Sequence, residues 1–316
     1  GENALAAVGN SYEITLIFLA FSFGCNIGGS VIVSRYFGAK DYNTMKTAVS
    51  TALIGTVVLC GALMAVGLLG CRSLLVLIRT PAELMADSAE YLDIYTLGLP
   101  FLFLYNVATG IFTALGDSRT PFLFLAGSST ANIAVDVLFV AAFDMGVAGV
   151  ALATLISRII SAIIIIGLMF RTESAITIKT CKDFLPSPSI IKKILSIGLP
   201  SGLENGMFQI GKLSVSSLVS TFGTAAIAAN SVANSVTMFA NIPGNAIGMA
   251  MITVIGQCIG AKKPDEAKRY GKKLMFIAYA GILATNIVMT IVAVPVVGLF
   301  HLSPEATKTG LSLIHC

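Results

Sequence analysis

Eight stretches of this chain, about 11–34, 47–70, 94–115, 121–142, 146–170, 194–220, 229–259 and 274–299, are almost wholly apolar. Each is long enough to cross the hydrocarbon of a bilayer, which takes about 20 residues in a helix. A soluble core has no room for them: 11% of the residues are charged, against roughly 25% in a soluble domain. Lipid offers the backbone no hydrogen bonds, so a spanning segment must satisfy its own N–H and C=O groups. Helices and closed barrels do so, and a barrel strand needs only about 9–11 residues. The expected fold class is therefore an all-α integral membrane protein. Turn-forming residues separate the stretches: Thr80-Pro81, Asp117 to Pro121, Pro186-Ser187-Pro188 and Lys263-Pro264-Asp265. A ninth stretch begins near 304, and Pro243 beside Gly244 predicts a kinked or broken helix in the seventh.

Part of the chain is written twice. Residues 1–46 reappear at 223–268, displaced by 222. Gly1, Ala4, Ala6 and Ala7 match Gly223, Ala226, Ala228 and Ala229; Thr15 matches Thr237; Gly38-Ala39-Lys40 matches Gly260-Ala261-Lys262; Lys46 matches Lys268. Duplicated membrane units are common in solute transporters. Charge orients the spans. Alternate loops hold Arg35, Lys40 and Lys46, then Arg119, then Arg171, Lys179, Lys182, Lys192 and Lys193, then Lys262, Lys263, Lys268, Arg269, Lys272 and Lys273, fifteen of the 20 basic residues. The opposite loops hold Arg72, Arg79 and Lys308 beside Glu83, Asp87, Glu90 and Asp93. The positive-inside rule makes the first set cytoplasmic and puts residue 1 outside. An even number of spans then separates the two copies, so they are parallel repeats. Residue 1 is Gly, and the last residues stop within a helical pattern. The chain is expected to be a piece of a longer protein, and to be inactive alone.

The six Cys are scattered singly and the two His, His301 and His315, lie near the C-terminal end. Neither pattern suits a metal centre or a nucleophile–base pair, and no acidic cluster sits at a membrane face, so no enzyme is expected. Five ionisable groups fall inside spans: Glu13, Asp136, Arg158, Glu204 and Lys212. Charges there are costly and are read as functional first. Asp136 is mid-span, four residues after Asn132, so both side chains leave one helix face. A carboxylate and an amide oxygen converging away from water make a site for a proton or Na⁺; the alternative is a structural hydrogen bond to a neighbouring helix. Glu204, four residues after Pro200, is either a cavity carboxylate or a residue snorkelling to the interface. Lys212 either neutralises Glu204 or Asp136 or touches substrate. Arg158 pairs within the bundle, and Glu13 lies at the interface. Gly24 with Gly28, and Gly244 with Gly248, are small-xxx-small faces for close helix packing.

Taken in order, several segments resemble the bacterial branch of the multidrug and toxic compound extrusion (MATE) family. They are Val33-Ser-Arg-Tyr-Phe-Gly-Ala-Lys40, Ala114-Leu-Gly-Asp-Ser-Arg-Thr-Pro121, Asn132-Ile-Ala-Val-Asp136, Gly146 to Thr154, Gly198-Leu-Pro200 and Ile255-Gly-Gln-Cys-Ile-Gly-Ala-Lys262. The resemblance covers essentially the whole chain. It implies two six-helix lobes, related as parallel repeats, around a central V-shaped cavity. The chain would hold helices two to nine and the start of ten. The N-terminal lobe, lacking its first helix, is expected over 1–170, a cytoplasmic connection over 171–193, and a truncated C-terminal lobe over 194–316.

The resemblance further implies a coupling-cation site at Asp136, Asn132 and Thr154, open to H⁺ or Na⁺, with Glu204, Lys212 and Arg158 as further candidates for cavity wall or coupling. The implied activity is cation-coupled antiport that exports amphipathic, often cationic drugs across the cytoplasmic membrane. No cofactor is expected beyond the coupling ion, and no nucleic acid; the partners are small drug molecules and the bilayer, with the full-length protein a monomer. The rival is a flippase for a lipid-linked precursor. It needs several basic residues in the cavity to hold pyrophosphate, and only Arg158 and Lys212 lie in spans.

Overall fold

The computed structural model describes residues 2–77, 80, 83–143, 145–171, 186–220, 222 and 224–298, and among these the regular elements are all helices. They are α1 (Glu2–Gly38), α2 (Tyr42–Leu77), α3 (Met85–Leu97), α4 (Leu99–Ala114), α5 (Arg119–Val137), α6 (Gly146–Arg171), α7 (Pro188–Ser220), α8 (Thr224–Gly260) and α9 (Pro264–Gly298). A π-helical turn, Leu138–Ala142, extends α5. The ninth stretch near 304, with His301, Lys308 and His315, lies outside the described residues, as does most of the 171–193 connection.

Among the described residues six helices are long and apolar enough to cross a membrane: α1, α2, α5 with its π turn, α6, α8 and α9. The pair α3 and α4, bent by 47° at Gly98, meets the same test only when taken together. Pro100 explains the break: it has no N–H to offer the carbonyl one turn earlier, and its ring crowds that turn. The apolar run marks this segment from 94 onward, with the acidic residues before it expected in a loop. The structure makes that segment α3, because Ser88, Ala89, Tyr91, Leu92, Tyr95 and Thr96 recur at helical spacing and are buried. α8 runs unbroken through Pro243, so of the kinked or broken helix expected there the broken form does not occur. α7 covers the expected span 194–220 as one helix of 33 residues, but it is not among the helices apolar enough to count.

The chain divides into two compact units, 1–209 and 210–316, with the division inside α7. In the first, one core cluster joins Val33, Met45, Val49, Ile111, Ile165 and Met169. A second joins Phe18, Leu75, Leu92, Leu99 and Phe103. A buried polar ladder stitches α1 to α4. Asn26 Nδ2 donates to the Asn106 carbonyl (2.7 Å), Asn106 Nδ2 donates to Ser22 Oγ (2.9 Å), and Ser30 Oγ donates to Asn26 Oδ1 (3.2 Å). Gly110 makes room for it, since a Cβ there would lie 2.5 Å from Ser30 Oγ and 2.6 Å from Asn26 Oδ1.

The expected small-residue face of α1 meets a matching face of α7. A Cβ on Gly24 would sit 2.5 Å from the Gly198 carbonyl oxygen, and one on Gly28 would sit 2.6 Å from that of Ile194. Backbones approach this closely only where side chains are missing. In the second unit α8 packs along α9, and a Cβ on Gly244 would meet Ile282 at 2.8 Å; Gly248 has open space around it. Polar side chains of α8 and α9 bond back to their own helices: Asn241 to Thr237 O, Thr285 to Gly281 O and Asn286 to Ile282 O. Large apolar side chains cover the outside, among them Leu69, Phe276 and Ile291. In water such a surface would aggregate; in lipid it is the wanted one.

The duplication is visible in the backbone. Lys40 and Lys262 both adopt a left-handed conformation, with φ of 58° and 60°. Around Lys40 the bonds run from Ala39 N to Arg35 O, Lys40 N to Phe37 O and Asp41 N to Tyr36 O. Around Lys262 they run from Ala261 N to Gln257 O, Lys262 N to Ile259 O and Lys263 N to Cys258 O, the same three bonds one repeat later. Each copy thus ends its long helix with the same left-handed cap.

Candidate functional site

α5 and α6 form a hairpin whose facing surfaces are polar. On α5 the polar positions 128, 129, 132 and 136 recur every three or four residues, the spacing of one helix face. On α6 they are 154, 157, 158 and 161, again one face. Helix packing brings the two stripes together around a cavity of about 310 Å³. Ser128, Ser129 and Asn132 line it from α5; Thr154, Ser157, Arg158 and Ser161 line it from α6; Leu102 and Tyr105 of α4 close one side.

Three of the residues singled out in the sequence, Asn132, Thr154 and Arg158, therefore share one wall-to-wall pocket. Asp136 does not line it; it is one turn further along α5, just before the π-helical turn. Asn132 Nδ2 and Asp136 Oδ1 are both shielded from solvent, and neither has a hydrogen-bond partner. Buried polar atoms left so are rare, and each calls for an explanation. The alternative to a functional Asp136 was a structural hydrogen bond to a neighbouring helix, and its Oδ1 makes none.

Arg158 stands near the middle of its span. Inserting an arginine at such a depth costs about 2.5–3.5 kcal/mol on translocon-based scales. The expected ion pair within the bundle is not seen: no carboxylate lies within 4.0 Å of it among the described residues. Its guanidinium lies over the Tyr95 ring instead, 4.2 Å from the centroid. Gly98, at the break between α3 and α4, lies beside it; a Cβ there would crowd the Tyr95 carbonyl oxygen (3.1 Å) and Leu155 (3.3 Å).

Glu204 and Lys212 are both exposed on α7 and line none of these cavities. Glu13 lies in α1, with its side chain outside those described. A second cavity, about 460 Å³, is almost purely apolar and is bordered by Cys25, Thr56, Leu59 and Ile194 among others. Sequence reasoning missed the serines of the polar pocket and the Ser22, Asn26 and Ser30 ladder. Their spacing was the available signal, since 22, 26 and 30 lie one turn apart.

The sequence model of the MatE family matches residues 1–138 and 200–315. The chain is 30% identical over 275 residues to the probable multidrug resistance protein YoeA of Bacillus subtilis, covering 85% of this chain and 59% of that protein. It is 24% identical over 238 residues to the multidrug export protein MepA of Staphylococcus aureus, covering 75% of this chain and 52% of that protein. The chain thus spans between half and three fifths of these relatives' lengths. Among solved structures, a multidrug resistance MATE transporter of the MOP superfamily in an outward-facing conformation superposes with a TM-score of 0.93 at 26% identity, over 99% of this chain and 70% of that one. A MOP superfamily transporter from Pyrococcus furiosus, described as having a binding pocket of reverse polarity that suggests a different function, superposes with a TM-score of 0.89 at 26% identity, over 99% of this chain and 70% of that one. The membrane-length helices and these matches agree: the chain belongs to the MatE family of multi-pass membrane proteins.

Proposed function

We propose that the protein exports amphipathic compounds, cationic drugs among them, across the cytoplasmic membrane in exchange for an inward-moving cation, H⁺ or Na⁺. The observation that carries the coupling is the pair of orphaned polar atoms on α5, Asn132 Nδ2 and Asp136 Oδ1. A carboxylate with one oxygen shielded from water and given no donor gains from a proton or a hard cation. Asn132, one turn earlier on α5, and Thr154, which lines the same cavity as Asn132 from α6, offer neutral oxygens beside it. Occupancy at Asp136 alters the packing of α5 on α6, and export follows if the loaded and empty forms hold cargo unequally. One charge moving down about 100 mV supplies roughly 2.3 kcal/mol, enough for tens-fold accumulation per ion. The names of YoeA and MepA support drugs as the cargo class. The flippase reading finds less support: Arg158 is the one basic residue lining the polar pocket. The Pyrococcus furiosus transporter makes pocket polarity the property to test next.

In a drug-sensitive bacterial host, Asp136→Asn in the whole protein is expected to abolish resistance while membrane expression is kept. Wild-type efflux by that variant removes Asp136 from coupling. Efflux from vesicles given a Na⁺ gradient or a pH gradient alone then identifies the ion.

A further inference from the structure

We propose that the first turns of α9 carry a docking surface for an anionic phospholipid of the leaflet that the helix enters. Lys268, Arg269, Lys272 and Lys273 hold its phosphate, and the apolar side chains that follow on the same face hold its acyl chain. The surface is separate from the α5–α6 hairpin and stands or falls independently of the coupling reading.

The charge distinguishes the second copy of the repeat from the first. α2 and α9 begin at equivalent positions, Tyr42 and Pro264, displaced by the same 222 residues. Continued along both helices, that displacement sets Lys268 against Lys46, but Arg269, Lys272 and Lys273 against Thr47, Ser50 and Thr51. In α2, Ser50 and Thr51 are buried, and the Thr51 hydroxyl accepts from the Ser187 N–H (3.1 Å). Neutral hydroxyls tolerate such burial; ammonium groups tolerate it only beside an opposite charge. An anion or water must therefore face this part of α9, where all four basic side chains are exposed. Over 262–273 six basic residues stand against two acidic ones, Asp265 and Glu266, and Glu266 is already paired with Lys263 at 3.0 Å.

Helical spacing puts the four basic residues within one arc of about 140°, and Phe276, Tyr279 and Leu283 fall in the same arc. All three of these are exposed. The opposite side of α9 is the one packed on α8: Ala267 is buried, a Cβ on Gly271 would meet Ile255 at 3.5 Å, and Ile282 lies against Gly244. The basic face is thus turned away from α8. Down that face the side chains change from cationic to aromatic to aliphatic. A phospholipid presents phosphate, ester and acyl chain in the same order, and aromatic rings favour the ester level. From Lys273 to Leu283 is about 15 Å along the axis, the depth of one leaflet of an about 30 Å hydrocarbon core. Basic clusters at the cytoplasmic end of a span attract anionic lipid, and an arginine fork fits a phosphate through paired hydrogen bonds. A soluble acidic partner would meet the charges but not the apolar continuation at bilayer depth.

The test uses the whole protein with Tyr279→Trp in a tryptophan-free background, reconstituted in phosphatidylcholine vesicles. The probes are phosphatidylglycerol and phosphatidylcholine carrying the same brominated acyl chains, which quench a tryptophan they touch. Brominated phosphatidylglycerol is expected to reach half-maximal quenching at a mole fraction at least about fivefold lower than its neutral counterpart, and about 0.5 M salt should narrow the gap. Lys272→Gln with Lys273→Gln should erase the preference. Lys272→Arg with Lys273→Arg should keep it and guards against a folding defect in the glutamine variant; size-exclusion profiles and melting curves check both. Lys40→Gln with Lys46→Gln, which removes the same charge from the first copy, should leave the preference unchanged. Equal quenching by the two lipids overturns the proposal, and so does an undiminished preference in the folded Lys272→Gln, Lys273→Gln variant. An equal loss in the Lys40→Gln, Lys46→Gln variant also overturns it, by tracing the preference to overall charge rather than to this face. Quenching by neither lipid overturns it as well, because another part of the protein then covers the face. The readout needs no transport, so none of these outcomes bears on the antiport reading.

Discussion

An aspartate in the hydrocarbon layer is stable only when a partner, a proton or a bound ion takes up its charge, and Asp136 Oδ1 has no donor beside it. It was legible in the sequence because a carboxylate four residues from an amide inside an apolar run has few bland explanations. Ser129 and Ser157 were not, because a serine in a span usually bonds back to its own helix, as Ser161 does. The loop carboxylates read differently. Asp41 accepts from the Thr44 N–H (3.1 Å) and so caps the first turn of α2. Asp117 accepts from the Thr120 N–H (3.0 Å) and hydroxyl (2.6 Å) at the start of α5. Partial burial raises the Asp117 carboxyl, but the Thr120 hydrogen bonds and the Arg119 charge outweigh it and hold the group below its usual range. A depressed carboxyl binds fewer protons in the folded state, so its contribution is present above the unfolded value and fades as pH falls through the folded one. Asp117→Ala is therefore expected to cost about 1 kcal/mol near neutral pH. The gap between the two melting temperatures should shrink below about pH 4. A gap that stays constant from pH 7 to pH 3 would show that the carboxylate is not the cap.

Whole helices were readable wherever lipid alone sets their composition. α2, α6 and α9 fall where the long apolar runs predicted them. The reading slipped where tertiary contacts take over. α3 carries Asp87, Glu90 and Asp93 on one side and buries Tyr91, Leu92 and Tyr95 on the other, so a hydropathy average hides it. The break was sought at Pro243, where α8 simply continues, and was found at Gly98 and Pro100. A helix interior tolerates one proline if its neighbours keep the geometry, and Gly281 of α9 lies against Pro243, where an added Cβ would be 3.2 Å away. Glycines give the sharpest test at this scale, since identical substitutions meet opposite surroundings. At Gly61 an added Cβ meets nothing within 4 Å, so Gly61→Ala is expected to raise stability by up to about 1 kcal/mol through helix propensity. At Gly24 it meets the Gly198 backbone, which cannot step aside, so Gly24→Ala should lower stability by about 1–3 kcal/mol. Melting curves of the two variants should move in opposite directions. Similar shifts for both would mean that the α1–α7 crossing is looser than drawn.

Across the molecule, the duplicated left-handed caps at Lys40 and Lys262 turn the topology into a question of parity. Between them run α2, the bent pair α3 and α4, α5 with its π turn, α6, α7 and α8. If each crosses the membrane once, the count is even and both lysines face the same side, with the basic clusters around them together, as the positive-inside rule requires. The helix among these that composition does not mark as a crossing is α7, which carries Lys192, Lys193, Glu204 and Lys212. Its 33 residues give a rod of about 50 Å, ample for the bilayer. Its glycine face is packed on α1, whose own apolar run crosses, and that contact holds much of α7 at membrane depth whatever its hydropathy. Sequence averages miss such a helix because protein, rather than lipid, covers its polar positions. The expectation is that Lys40→Cys and Lys262→Cys, each placed in a cysteine-free background, are both shielded from an impermeant maleimide in intact cells and both labelled in inverted vesicles. Glu90→Cys, exposed on α3, should show the reverse. Lys40→Cys and Lys262→Cys labelling from opposite sides would mean that one of the six crossings, α7 first among them, is not made. The parallel relation of the repeats, and the orientation that delivers an outside cation to Asp136, would fall with it.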